Sequence, residues 1–396
     1  MATPMKVSNT PITLKQLLPL ATITLNSGLV PFVTSQPGVG KSSLAKQYAK
    51  DNNLKFIDIR LAGYDPTLID GFPMVDKESG RAFFAHQSTW PLETDELPLN
   101  EDLFKQNLEE AFENNLFTKD DFDNKTEAFL KVEEDCKAKS YYSGWFILLD
   151  ELTSAPQSVQ AAAYRLILDR EVGDKALHPK VKMMAAGNRI IDNAIAGKLG
   201  SALQSRVVHY EVLPDHKAFK EWALNAGLNP RVVAFTELFP ETVTNFDPAH
   251  KDVTFCCSRT LEFLAKQVDS IQQSGGALDS YDYMPLYAGT VGHGIASKFR
   301  TFMAVFGNIP SLKDILANPA GIPIPSEPDK QHAIAAMVGE NLDTSNAPIL
   351  MQFLNRTHPE SQVTSLKTAI KRQPALSQVP EVKNWIVTTA SKLRSI

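Results

Sequence analysis

Ser35-Gln36-Pro37-Gly38-Val39-Gly40-Lys41-Ser42 follows an apolar run, Leu29 to Val33, and passes into Ser43-Leu44-Ala45-Lys46-Gln47-Tyr48-Ala49, which reads as helix. Strand, glycine loop, Lys-Ser and helix, in that order, make a phosphate-binding loop. Gly38 and Gly40 let the backbone turn tightly, so that successive N–H groups point inward at an anion. The start of the helix adds its partial positive charge. Lys41 is placed to reach the β- and γ-phosphates of a nucleotide, and the Ser42 hydroxyl to bind Mg²⁺. On this reading Pro37, Gly38, Val39, Gly40, Lys41, Ser42 and Ser43 hold ATP. The usual pattern opens with Gly where this chain has Ser35, a small residue that turns also accept. A chance glycine turn is the competing reading, and the strand before it and helix after it disfavour it.

A second stretch, Phe146-Ile147-Leu148-Leu149-Asp150-Glu151, is an apolar strand ending in two carboxylates. Such a strand delivers Asp150 and Glu151 to the carboxyl edge of a sheet, beside the loop. Asp150 would hold Mg²⁺, directly or through water, and Glu151 would orient and deprotonate an attacking water. Asn188 follows the apolar run Val181 to Ala186 and Gly187. At the tip of a strand lying between the first and the third, it can touch both a γ-phosphate and that water. As an isolated residue it would be an ordinary turn asparagine. Arg206, just before a further strand, and Arg259, at the start of a helix, are candidates to stabilise charge on the γ-phosphate. Each has a surface ion pair as its alternative.

Further strands are expected at Lys55 to Leu61, Trp145 to Leu149, Val181 to Ala186 and Arg206 to Val212. Continuous apolar strands separated by helical stretches predict a parallel sheet covered on both faces. Residues 1–212 therefore read as a doubly wound α/β core. Two inserts interrupt it. Residues 71–85 read as a β-hairpin with the polar turn Asp76 to Gly80. In it Phe83 and Phe84 either pack in the hairpin's own core or grip a polypeptide. Residues 93–135 carry 15 Asp/Glu against 4 Lys/Arg, with Phe104, Leu108, Ala111 and Phe112 at helical spacing. This insert reads as acidic surface helices, either a solvated face or a docking surface for a basic partner.

From Pro214 the pattern turns helical. Leu261, Leu264, Ala265, Val268 and Ile271 form one stripe behind a candidate N-cap, Ser258, and Gly275-Gly276 ends that helix. Residues 213–320 read as an all-α lid and 321–396 as a helical C-terminal extension, with the Pro- and Gly-rich stretch Ala317 to Pro328 between them.

The 396 residues are 43% apolar and 21% charged, with a net charge of −5, which argues against a general nucleic-acid binder. Three cysteines, two of them adjacent, make neither a disulfide framework nor a metal pattern, which fits a reducing cytoplasm. Met1 to Thr10 has no apolar core of the kind a signal peptide carries, and no stretch approaches the ~18 apolar residues of a membrane span.

Together these motifs resemble the MoxR-type family of AAA+ ATPases, within the helix-2-insert group, from about residue 29 to about 270. The most specific stretch is Leu149-Asp150-Glu151-Leu152-Thr153-Ser154-Ala155-Pro156-Gln157-Ser158-Val159-Gln160-Ala161-Ala162, which is similar to the family's Asp-Glu followed by Ala-Pro and Val-Gln. Asp169-Arg170-Glu171-Val172-Gly173 and Ala185-Ala186-Gly187-Asn188-Arg189 match related sequences. Asp65-Pro66 through Gly71, then the hairpin, resembles the insert in the family's second helix. The resemblance implies a P-loop AAA+ core with a helical lid, and a ring hexamer with ATP and Mg²⁺ between subunits. It implies Arg206 as the finger donated to a neighbour's site, with Arg170 and Arg189 also near subunit boundaries. It implies Arg259 as the lid arginine that senses the γ-phosphate, and Asn188 as the polar sensor. It further implies a remodelled or activated protein client, and a partner with a von Willebrand factor A-type domain.

The main alternative is a DNA-directed AAA+ motor of helicase or restriction type. That reading needs a basic pore or a DNA-binding module, and the hairpin offers only Lys77 and Arg81. A small-molecule kinase is disfavoured by Glu151 beside Asp150, by Asn188 and by the helical lid. Neither HExxH nor a Ser/His/Asp or Ser/Lys motif supports a protease.

Overall fold

A computed structural model describes residues 10–192, 199–244, 246–250, 252–305 and 308–393. The expectation of no leader at Met1 to Thr10 therefore lies, for residues 1–9, outside the described residues, as do the last three residues of the helical extension. The described residues fall into two units: those of 1–36 with 40–212, and those of 37–39 with 213–396.

The first unit begins with α1 (Leu14–Asn26), opened by a capping box between Thr13 and Gln16. Then come β1 (Val30–Ser35), α2 (Lys41–Asp51), β2 (Leu54–Arg60) and the short α3 (Pro66–Asp70). The hairpin β3 (Phe72–Val75) and β4 (Ala82–Ala85) precedes three insert helices, α4 (Glu101–Glu113), α5 (Lys119–Asn124) and α6 (Glu127–Ala138). The core resumes with β5 (Gly144–Asp150) and α7 (Gln157–Leu168). A two-residue pair follows, β6 (Glu171–Val172) and β7 (Lys175–Ala176), and then β8 (Val181–Asn188), α8 (Ser201–Gln204) and β9 (Val207–Val212).

Five strands pair in the order β2-β5-β8-β1-β9, all parallel. The fold class expected from the sequence, an α/β parallel sheet with helices on both faces, is the one observed. One face puts Phe32, Ile147, Leu149 and Ala185 against Val159, Ala163 and Leu166 of α7. On β5 the alternate residues Phe146 and Leu148 are equally buried, and Phe146 meets Tyr48 of α2 with ring centroids 5.2 Å apart. That is why β5 reads as an unbroken apolar run. The central strands extend past their expected ends, β1 to Ser35 and β8 to Asn188, because Ser35 still pairs with Asn188 in the parallel register.

The β3–β4 hairpin forms as expected, with Gly80 at φ +68 in its turn. Phe72, Met74, Val75, Phe83 and Phe84 are all exposed, at 44–65%. A ribbon of two strands has no second layer to bury them, so packing in the hairpin's own core is not what Phe83 and Phe84 do. The root of the hairpin is tight. A Cβ on Gly71, at φ +94, would fall 3.0 Å from His86 Nδ1, and His86 Nε2 lies 2.8 Å from Asp174 in the β6–β7 turn.

The second unit is helical: α9 (His216–Ala226), α10 (Pro230–Leu238), α11 (Glu241–Thr244), α12 (Ser258–Gln273), α13 (Met284–Val291), α14 (His293–Val305), α15 (Leu312–Ala317), α16 (Pro328–Asn341), α17 (Ala347–Leu354), α18 (Pro359–Arg372) and α19 (Pro380–Leu393). The α12 stripe from Leu261 to Ile271 is buried in full. Its N-cap is Cys257, one residue before the expected Ser258, with Thr260 Oγ1 accepting from the Cys257 N–H. Two apolar clusters fill the unit, and α16 serves both, Ala336 in one and Ile334 and Val338 in the other. Buried Glu237 of α10 receives Lys220 Nζ at 2.6 Å and sits 2.9 Å from His332 Nδ1, which ties α9, α10 and α16 together. Burial alone would raise the Glu237 pKa; the hydrogen bond from His332 and the charge of Lys220 outweigh it, and the pKa is lowered. Among the described residues no helix is long and apolar enough to cross a membrane, and Cys136, Cys256 and Cys257 are free.

Candidate active site at the carboxyl edge of the sheet

Three neighbouring parallel strands end side by side: β5 at Asp150, β8 at Asn188 and β1 at Ser35. The loop after β1 leads into α2 through Gly40, at φ +102, and Gly38 stands at φ +77. Both values lie in the region that glycine alone adopts without cost. Helix α2 opens with no side-chain cap and no acid in its first turn, so its positive end is left to the loop. Ser43 is exposed in that first turn, and Val39 is buried.

Lys41 is buried. Its Nζ donates to Ser35 Oγ at 2.9 Å and to Asn188 Oδ1 at 3.3 Å. Ser42 Oγ donates to Asp150 Oδ2 at 2.9 Å. The other oxygen, Oδ1, accepts the Glu151 backbone N–H at 2.8 Å. The Asp150 carboxylate is therefore oriented by its own chain and faces the loop. The strand stops abruptly: Glu151 takes φ +59, a conformation that costs a non-glycine residue about 1–3 kcal/mol and is found where function holds it. This reversal starts the turn Leu152–Ser154.

Within that turn Thr153 holds the Asn188 backbone, its Oγ1 accepting from N at 3.1 Å and donating to O at 3.4 Å. Gly187 makes room for it, since a Cβ there would fall 2.7 Å from Thr153 Oγ1. Two of these parts do not stand out in the sequence. Ser35 occupies the position where the usual pattern has glycine, and that departure is its only signal: its hydroxyl is a partner of Lys41. Thr153 carried no signal beyond a hydroxyl placed two residues after Glu151.

The site brings together Lys41, Ser42, Asp150, Asn188 and the backbone of Glu151. The donor set suits a nucleotide and Mg²⁺: a glycine-bent loop, an uncapped helix end, one lysine, and one hydroxyl beside one carboxylate. Mg²⁺ characteristically takes one or two protein ligands and completes its shell with phosphates and water. Among the described residues no group of three or more His, Cys, Asp or Glu is placed to hold a metal ion.

The three boundary arginines differ. Arg189 makes a paired contact with buried Asp192, at 2.9 and 2.8 Å, and reaches Glu211 at 3.5 Å. Its hydrogen bonds to Asp192 raise its pKa. Arg170 donates to the Val181 carbonyl, and burial lowers its pKa. Arg206 lies with its guanidinium 4.3 Å from the Tyr164 ring and donates to the Ala202 carbonyl at 2.5 Å. Among the described residues no carboxylate pairs with it. Arg259 is exposed in the first turn of α12, in the second unit.

No family model matches the chain, and no curated protein matches it. Among solved structures it is similar to two RuvB point mutants from Thermotoga maritima. They share 13% and 12% identity with it, over 83% and 84% of this chain and 71% of theirs, each at a TM-score of 0.29. The α/β fold stands on the sheet itself, its strand order and its register.

Proposed function

We propose that this chain is a Mg²⁺-dependent ATPase of the AAA+ class, of the MoxR type, working as a ring oligomer on a protein client. The observation that carries this reading is the assembly of Lys41, Ser35, Asn188, Ser42 and Asp150 within hydrogen-bond distance across three adjacent strand tips.

Phosphoryl transfer asks a protein mainly to position groups and to stabilise charge. Lys41, held between Ser35 and Asn188, presents its ammonium to the β- and γ-phosphates. Ser42 and Asp150 would hold Mg²⁺, which would neutralise phosphate charge. Glu151, turned out of the strand by its backbone, accepts the proton of the attacking water, and Asn188 positions that water. Among the described residues Arg206 pairs with no acid, whereas Arg189 is engaged by Asp192 and Glu211 and Arg170 is buried against the Val181 carbonyl, so Arg206 serves as the finger offered to a neighbouring subunit. Arg259 senses the γ-phosphate. The exposed apolar side chains of the β3–β4 hairpin fit a polypeptide client better than DNA, because Lys77 and Arg81 are the hairpin's only basic residues.

The test is paired. Lys41→Ala should abolish nucleotide binding, measured by titration with a fluorescent ATP analogue; normal affinity would sink the loop assignment. Glu151→Gln should shift to about six subunits by light scattering when Mg·ATP is added. A monomer with and without nucleotide would remove the ring and the arginine in trans.

A further inference from the structure

The insert of residues 93–135 takes no part in the site above. Its helices close a small core of their own around Ala111, Phe117, Phe129 and Cys136. Four rings run in a chain: Phe112 to Phe117 at 5.5 Å, Phe117 to Phe129 at 5.1 Å, and Phe129 to Phe122 at 5.1 Å. The inner two are buried, while Phe112 and Phe122 are each 48% exposed. Between α4 and α5 they flank a groove of about 390 Å³, with Leu108 and Phe117 also lining it and Glu109, Glu113 and two lysines in its walls. Leu108 and Phe112 are four residues apart on one face of α4.

The groove's own walls are balanced, two acids and two lysines, but the helices that carry them are not. Helices α4 and α5 carry eight acids against two lysines. Residues 93–135 hold a net −11, from 15 acids and 4 bases, while the whole chain holds −5, so the remainder is net +6 (−5 minus −11). The negative charge of this protein is thus concentrated in the insert. A face built only for solvation keeps its aromatic rings inside; half-exposed rings in an acidic field are the feature that calls for an occupant.

We propose that this groove docks a basic amphipathic helix of a partner protein. Its apolar side chains, at helical spacing, seat on Phe112, Phe117 and Phe122, and its flanking lysines or arginines meet the surrounding acids. Apolar contact supplies the seat, and charge steers the approach and selects the partner. The proposal does not depend on ATP hydrolysis, and its test is run without nucleotide, so its failure is separate from failure of the ATPase reading.

The probe is a synthetic Leu/Lys amphipathic peptide of about four helical turns, labelled for fluorescence anisotropy and titrated with the full chain. Two controls keep half of its chemistry each: a Leu/Glu peptide with the same apolar pattern, and a Lys/Ser peptide with the same charge. The Leu/Lys peptide should saturate at one per chain, and each control should bind at least about tenfold more weakly. Phe112→Ser with Phe122→Ser, which leaves every charge in place, should weaken the Leu/Lys peptide by about tenfold or more. Glu109→Lys with Glu113→Lys, which leaves every ring in place, should weaken it as well and makes the test independent of how the first variant folds. Equal binding of the Lys/Ser peptide, unchanged binding by the serine variant, or no binding of the Leu/Lys peptide would overturn the proposal. So would a serine variant that dissociates an oligomer of the chain itself, since the occupant would then be a second copy.

Discussion

The carboxyl edge of the sheet and the acidic insert lie in the same unit and are built on opposite terms. At the edge, polar side chains answer one another: Lys41 to Ser35 and Asn188, Ser42 to Asp150, Thr153 to the Asn188 backbone. Their positions are inherited from the register of β1, β8 and β5, whose packing is settled by residues elsewhere on those strands. In the insert, Ala111, Phe117, Phe129 and Cys136, with Phe104, Leu108 and Val132 packed against them, make a small satellite core. A change at the edge should therefore alter chemistry and spare the fold. A change in the insert should alter the local fold and spare the chemistry.

The largest effect that would sharpen this contrast is at Arg206. If it acts on a neighbour's γ-phosphate, Arg206→Ala should lower turnover by about 10³-fold or more with nucleotide affinity kept. Mixing it with Glu151→Gln subunits should restore part of the activity, because each variant repairs a different interface. No recovery at any mixing ratio would remove the role in trans. Arg189 is the contrasting case: its pairing with buried Asp192 makes Arg189→Ala a destabilising change of about 3–5 kcal/mol, readable as a fall in thermal midpoint.

Next in size is Glu151→Gln itself, expected to lower turnover by about 10²–10⁴-fold with ATP still bound. A variant that turns over at the normal rate would move the base to another residue. Smaller again is Thr153→Val, which keeps the shape and deletes both hydroxyl contacts to Asn188. Losing them should cost about 1–2 kcal/mol of positioning, read as about a tenfold fall in kcat, with the affinity for ATP unchanged. A fall in affinity and thermal midpoint instead, at constant kcat, would make Thr153 a structural residue only.

How much of this was legible in the sequence follows from the same contrast. The parallel strands announce themselves because burial on both faces leaves a continuous apolar run, as at Phe146 to Leu149, all of it fully buried. Residues set by register are legible with them, which is how Asn188 came to be placed between the loop strand and the Asp150 strand. The β6–β7 pair left no trace, since two-residue strands have no period to read. The pairing of Arg189 with Asp192 and Glu211 was equally hidden, because one ion pair spans three residues and the other runs from the residue after β8 to β9. The exposure of Phe83 and Phe84 depends on the absence of a covering layer, which a local pattern does not encode.

The smallest expected effect on turnover belongs to the insert, and it is the one that could break the comparison. Phe129 is buried and touches both Phe117 and Phe122. Phe129→Ala removes the ring that joins the two sides of the satellite core, a loss of about 3–5 kcal/mol where the site cannot collapse. That exceeds what a core of so few residues can hold in reserve, so the insert should open locally. Limited proteolysis should then cut within residues 93–135, while the rest of the chain keeps its thermal midpoint. Basal ATP turnover should remain within about twofold, because no side chain of α4, α5 or α6 takes part in the carboxyl-edge contacts and their register does not depend on the insert. A large fall in turnover with the sheet intact would mean that the insert constrains the site, and the two regions would then have to be treated as one.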